Sequence, residues 1–132
     1  MSRLPQKSPR IMAILNITPD SFSDGGVFFR HEKIDIDKVV DVVATLQADG
    51  ADILDVGGES TRPGAAEVGV EQELDRVVPV IEAIRARFDL PVSIDTSQPE
   101  VMLAATNAGA SIINDVRALV RPRALELSLI HI

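Results

Sequence analysis

The stretch DIDKVVDVVATLQADGADILDVGGESTRPG, residues 35–64, decides the fold. In its first half Ile36, Val39, Val40, Val43 and Leu46 recur at helical spacing, and Gly50 stands where a glycine usually ends a helix. Ala51–Val56 then switches to a short apolar run, the pattern of a strand buried on both faces of a parallel sheet. That strand enters a Gly-rich loop, Gly57–Gly64. The same pattern extends in both directions. Arg10–Asn16 reads as an earlier strand buried on both faces, closed by Thr18-Pro19-Asp20. Beyond the loop, Leu74, Val77, Val78, Ile81, Ile84 and Phe88 mark a second helix, and Pro91–Asp95 a third strand. Ser97 with Glu100 three residues on reads as a capping box opening a third helix that ends near Gly109, and Ala110–Asn114 is a fourth strand.

The order β-α-β-α-β-α-β with short connections predicts an α/β fold, a parallel sheet with right-handed crossovers. Two architectures fit: a small open doubly wound sheet, or the first half of a TIM (β/α)8 barrel, whose complete form runs to about 250 residues.

Composition narrows the function. The 132 residues are 45% hydrophobic and 25% charged, as in one globular unit, and the net charge of −7 leaves no general basic field for nucleic acid or an anionic membrane. The absence of Cys excludes disulfides, thiolate nucleophiles and zinc-thiolate sites. With no Trp, no Tyr and four Phe, stacking platforms for single strands are not expected. No apolar run approaches the roughly 20 residues of a membrane span, and Met1–Arg10 has no signal-peptide core, so a cytoplasmic location is expected.

Each strand carries a hydrogen-bonding residue at or one short of its C-terminal end: Asn16, Asp55, Asp95 and Asn114. In parallel α/β folds that edge is where loops and helix N-termini converge on ligands. Asp95 only accepts hydrogen bonds and Asn114 does both, which suits a guanidine-like ring edge such as a pterin or purine. Asn16 offers a neutral oxygen of the kind Mg²⁺ takes as one ligand, with waters and substrate phosphate completing the octahedron. The glycines of Gly57–Gly64 let backbone N–H groups approach a ligand, and Arg62 is a candidate clamp for phosphate or carboxylate. No Gly-Lys-Ser/Thr follows, so this is not a Walker loop. In the loop 19–26 Phe22 is a lone aromatic that either tucks onto the core or closes over a flat substrate. His31-Glu32-Lys33 reads as a solvated loop.

Three segments now carry a resemblance: ILNITPDSFSDGG at 14–26, DVGGESTRPG at 55–64, and IDTS at 94–97 with IIND at 112–115. Together they resemble dihydropteroate synthase, over Ile11 to about Glu126. The resemblance implies a pterin-binding (β/α)8 barrel that joins 4-aminobenzoate to dihydropterin-methyl diphosphate and releases diphosphate with Mg²⁺, is inhibited by sulfonamides, and is a homodimer at full length. By matched position, Asn16 would touch the metal and the diphosphate, and Asp95 and Asn114 would hold the pterin edge, with Asp55 also substrate-binding. Thr61 and Arg62 would meet the diphosphate and aminobenzoate, Phe22 and Pro63 would wall the aminobenzoate pocket, and Asp24 would stabilise the positive methylene. Asp24 and Arg62 are thus the catalytic candidates.

The pattern departs at its end. The family continues through another half barrel, whereas Leu127–Ile132 reads LSLIHI, the hexapeptide that a transposon end used in sequencing libraries encodes in frame. The expected organisation is therefore a partial barrel over 1–126 and an artefactual tail over 127–132. Four strands alone leave two unpaired edges and one uncovered face, so this length is expected to be inactive. Two rivals stay open: the pterin-binding domain of a methyltetrahydrofolate methyltransferase, and a non-catalytic pterin-binding homologue. The loops 20–26 and 59–64 argue against the first, because a methyl donor brings no diphosphate.

Overall fold

The computed structural model describes residues 9–19, 28–30, 33–59 and 68–115. Strand β1 (Met12–Asn16) is followed by the two-residue strands β2 (Phe29–Arg30) and β3 (Lys33–Ile34), then α1 (Ile36–Ala48) and β4 (Ile53–Gly57). Helix α2 (Val70–Arg87), β5 (Val92–Asp95), α3 (Pro99–Ala108) and β6 (Ile112–Asn114) complete the order. β1, β4, β5 and β6 form one sheet in that order, all neighbours parallel. The fold is α/β, four consecutive strands of a (β/α)8 barrel with their helices.

Local chemistry sets the ends of these elements. Asp35 caps α1, its carboxylate accepting from the Lys38 N–H at 3.2 Å. After the last turn Gly50 adopts φ +106°, a left-handed region that only glycine enters without strain, and so releases the chain toward β4. Gly109 does the same at φ +126° after α3. The capping box expected at Ser97 and Glu100 does not form. The N-cap of α3 is Gln98, without a side-chain cap, and Pro99 takes the first helical position. Proline's fixed φ and missing N–H suit that position, so Pro99 sets the boundary, and Thr96 Oγ1 accepts from the Gln98 N–H at 3.1 Å.

In parallel register, neighbouring rows of side chains alternate between the two faces. Leu15, Val56 and Ile94 share one row and Leu54 and Val92 another, all 0–1% exposed. They form one core with Val39 and Val43 of α1, Val77, Val80, Ile81 and Ile84 of α2, and Val101 and Ala105 of α3. Burying each such side chain contributes about 1.5–3 kcal/mol.

β1 is not buried on both faces as its apolar run predicts. Met12 and Ile14 are 42% and 57% exposed, because they lie on the face opposite the helices and β1 is an edge strand. The hairpin β2–β3 replaces the solvated loop expected around Lys33; Asp35 N–H donates to the Phe28 carbonyl at 2.8 Å just beyond it. The expected tail 127–132 lies outside the described residues. Among the described residues no helix is long and apolar enough to cross a membrane.

Candidate functional site

Register brings the predicted residues together. Asn16 pairs with Gly57, Gly57 with Asp95, and Asp95 with Asn114, so three polar side chains and one gap form a single row across the C-terminal ends of the sheet. They point to the face opposite the helices. A Cβ on Gly57 would stand in van der Waals contact with Asp95, 3.4 Å from its Cβ and 3.5 Å from Oδ2. Gly57 therefore places no side chain beside Asp95 in that row.

Asp55 lies elsewhere than predicted. β4 runs on to Gly57, so Asp55 is two residues short of the strand end, in the row below with Ile14, Ser93 and Ile112. It is 3% exposed, and its Oδ2 accepts from Asn114 Nδ2 at 3.3 Å. With its amide nitrogen donating to Asp55, Asn114 keeps its carbonyl oxygen as an acceptor. Asp95 and Asn114 together thus offer acceptors to whatever binds above them. Asp55 Oδ1 and Ser93 Oγ are buried without a hydrogen bond of regular geometry, so the floor of the site retains acceptor capacity.

The electrostatics follow from burial and crowding. Burial pushes the Asp95 carboxyl up, and the carboxylates of Asp55, Asp115 and Glu59 push it further, to about 6. Burial also raises Asp55, against the lowering influence of nearby Ser93 and Asn114. No group of three or more His, Cys, Asp or Glu residues capable of holding a metal ion occurs among the described residues. A divalent ion here would have Asn16 as a single neutral ligand and take its other oxygens from water and substrate. Mg²⁺, which keeps several waters, tolerates that donor set.

Phe22, Asp24, Thr61, Arg62 and Pro63 lie outside the described residues. Their anchor points do not. Gly58, expected to let a backbone N–H meet a ligand, is instead pressed against α2: a Cβ there would come within 3.0 Å of Val77 Cγ1 and 3.2 Å of Arg76 Cβ. Arg76 donates from Nη1 to the Gly58 carbonyl at 2.8 Å and lies over the Phe29 ring at 5.9 Å from its centroid. Glu73 is 1% exposed on the same helix face. Sequence reading missed both buried charges. The only signal was their i, i+3 spacing beside Val77 and Val80, which an exposed helix face shows equally well. A cavity of about 780 Å³ opens beside Phe29 and Arg76, bounded by Ile34, Ile36 and Pro79, away from the Asp95 row.

The profile of the family described as pterin binding enzyme matches residues 12–129. The chain belongs to the pterin-binding enzyme family. Among relatives, the dihydropteroate synthase of Escherichia coli strain K12 is 58% identical over 118 residues, covering 89% of this chain and 40% of that protein. A Yersinia pestis dihydropteroate synthase solved with a sulfonamide drug complex superposes with TM-score 0.83 at 50% identity, covering 91% of this chain and 42% of that one. The Xanthomonas albilineans dihydropteroate synthase solved with 4-aminobenzoic acid gives TM-score 0.77 at 54% identity over 94% of this chain and 44% of that one. The chain thus spans about two-fifths of the length of these relatives.

Proposed function

We propose that this chain is the pterin-side half of a dihydropteroate synthase. The full-length protein condenses (7,8-dihydropterin-6-yl)methyl diphosphate with 4-aminobenzoate to give 7,8-dihydropteroate and diphosphate. The observation that carries the reading is the row Asn16, Gly57, Asp95, Asn114: acceptors spaced along one sheet edge, with a glycine beside the carboxylate. Family membership and the names of the relatives support it.

In this reading Asp95 and Asn114 accept from the N–H donors of the pterin's guanidine-like edge, and Asp55 keeps Asn114 in the accepting orientation. The ring is thereby held with its methylene toward Asn16. There the methylene–oxygen bond to diphosphate breaks, the aminobenzoate nitrogen bonds to the methylene carbon, and the amine gives up one proton to the released diphosphate or to solvent. Arg62 and Thr61 meet the departing diphosphate, Phe22 and Pro63 wall the aminobenzoate, and Asp24 stabilises positive charge at the methylene. When bound, Mg²⁺ would have Asn16 among its ligands and would neutralise charge on the leaving group. Asn16, Asp95 and Asn114 bind and orient; none of them needs to exchange a proton in the transfer. We also propose that residues 1–126 belong to a partial pterin-binding (β/α)8 barrel domain and that 127–132 is an artefactual tail, which resequencing the gene across codon 126 tests directly.

The test of function is made in a full-length chain that carries residues 1–126 into a complete barrel. Diphosphate release should require both substrates, should fall on chelation of Mg²⁺, and should vanish in Asp95→Ala together with pterin binding. Undiminished pterin binding by Asp95→Ala would sink the assignment. Pterin binding without diphosphate release in the unaltered protein would identify a non-catalytic homologue instead.

A further inference from the structure

Between the strand-end row and the helix layer lies a buried cation that binds no substrate in the proposed reaction. Arg76 is 9% exposed, on the second turn of α2. A guanidinium that has lost nearly all its water is held only where its donors find specific acceptors. Two of its contacts tie separate elements together. Nη1 donates to the Gly58 carbonyl at 2.8 Å, a charge-assisted bond, and the guanidinium carbon stands 5.9 Å from the centre of the Phe29 ring.

Those partners are not neighbours in the chain. Gly58 immediately follows β4, and Phe29 opens β2. Gly58 leads into residues 60–67, where Thr61, Arg62 and Pro63 fall, and Phe29 follows residues 20–27, where Phe22 and Asp24 fall. α2 also fixes the other end of the first of these segments, since Gly69 is its N-cap and the Gly69 carbonyl accepts from the Glu73 N–H at 3.0 Å. The end of β4 is tied back to β1 as well: the Gly57 carbonyl accepts from the Ile17 N–H at 2.7 Å. Packing alone does not locate the guanidinium, because the cavity of about 780 Å³ opens along this side of it. The Gly58 carbonyl and the Phe29 ring are among the groups that do.

We infer that Arg76 is a positioning residue of the transfer site, holding the end of β4 and the start of β2 to the first two turns of α2. It thereby fixes the spacing between the anchors of segments 20–27 and 60–67. This rests on the functional reading above. Arg76 acts on the diphosphate and aminobenzoate side of the reaction and leaves the Asp95 and Asn114 acceptors, which are set by sheet register, in place.

The test compares Arg76→Met and Arg76→Lys with the unaltered full-length protein. Arg76→Met should lower kcat by about ten- to a hundredfold, the scale of a misplaced catalytic group, and raise KM for 4-aminobenzoate. The dissociation constant of a pterin carboxylic acid, measured by calorimetry with the binding stoichiometry as a count of folded sites, should stay within about twofold. Arg76→Lys, which keeps a cation for the ring and one donor for the carbonyl, should recover most of the lost kcat. Unchanged kcat and KM in Arg76→Met would overturn the inference, as would a loss of pterin sites in proportion to the loss of turnover. Should the unaltered protein show no turnover, the functional reading fails by itself. Amide exchange then decides the positioning role: Gly58 and Glu59 should exchange at least about tenfold faster in Arg76→Met with β5 unchanged, and equal rates would overturn it.

Discussion

Asp95 should make pterin binding sensitive to pH in a range where an ordinary aspartate is silent. Burial and the neighbouring Asp55, Asp115 and Glu59 hold its carboxyl near 6. Only the carboxylate can accept two N–H bonds from the ligand, so a proton competes with the pterin. The apparent dissociation constant then scales with one plus the ratio of proton concentration to the acid constant. With the pKa at about 6, affinity should be roughly tenfold weaker at pH 5 than at pH 7, where an unperturbed aspartate near 3.9 would change it by about a tenth or less. Titration calorimetry from pH 5 to 7.5 in full-length protein measures this, and the Asp95 carboxyl carbon shift followed by NMR checks the same midpoint without ligand. Asp55→Asn removes the largest like-charge contribution and should move the midpoint down. A dissociation constant flat between pH 5 and 7 would refute the reasoning, as would a midpoint that does not move in Asp55→Asn.

The same shift has a consequence for stability. Because the folded-state pKa of Asp95 lies above its unfolded value, its charged form destabilises the fold above about pH 6. Stability without ligand should therefore rise as pH falls through that value toward the unfolded pKa, and Asp95→Asn should flatten the dependence of the urea midpoint. Gly58→Ala should cost about 1–3 kcal/mol by overpacking, since the new methyl meets Val77 Cγ1 at 3.0 Å and the rigid stem of Arg76 at 3.2 Å; urea unfolding reads it. Leu54→Ala, at 0% exposure in the middle of the helix-facing rows, should cost about 2–5 kcal/mol by the same assay. Asp35→Ala removes the side chain that caps α1 and should cost about 1 kcal/mol, with the loss seen first as faster amide exchange at Lys38.

The strand-end part of the site is legible in the sequence. Asn16, Asp95 and Asn114 end their strands as predicted, because parallel strands of a common pattern stop at a common edge and their last residues share a row. Asp55 was misplaced by one row, since a strand that ends in Gly57 gives no side-chain signal that the ladder continues. The hairpin β2–β3 was illegible for a related reason: two residues per strand are too few to show alternation. Ser97 and Glu100 satisfied the capping-box spacing, yet Pro99 overrode it, because a proline ring fixes the first helical residue more firmly than a hydroxyl can.

What the sequence alone determined was periodic and local: three helices, four parallel strands, Gly50 and Gly109 as the exits from two of the helices, and the polar residues at the strand ends. Those features depend on backbone preferences and apolar spacing within about a dozen residues, which the chain displays directly. Tertiary structure decided the rest. It turned the Asn114 amide toward Asp55 and crowded the carboxylates that lift Asp95. It buried Glu73 and Arg76 against Gly58, and left Met12 and Ile14 exposed on the face that no helix covers. Each of these depends on groups far apart in the chain being packed side by side, and on how much water that packing removes.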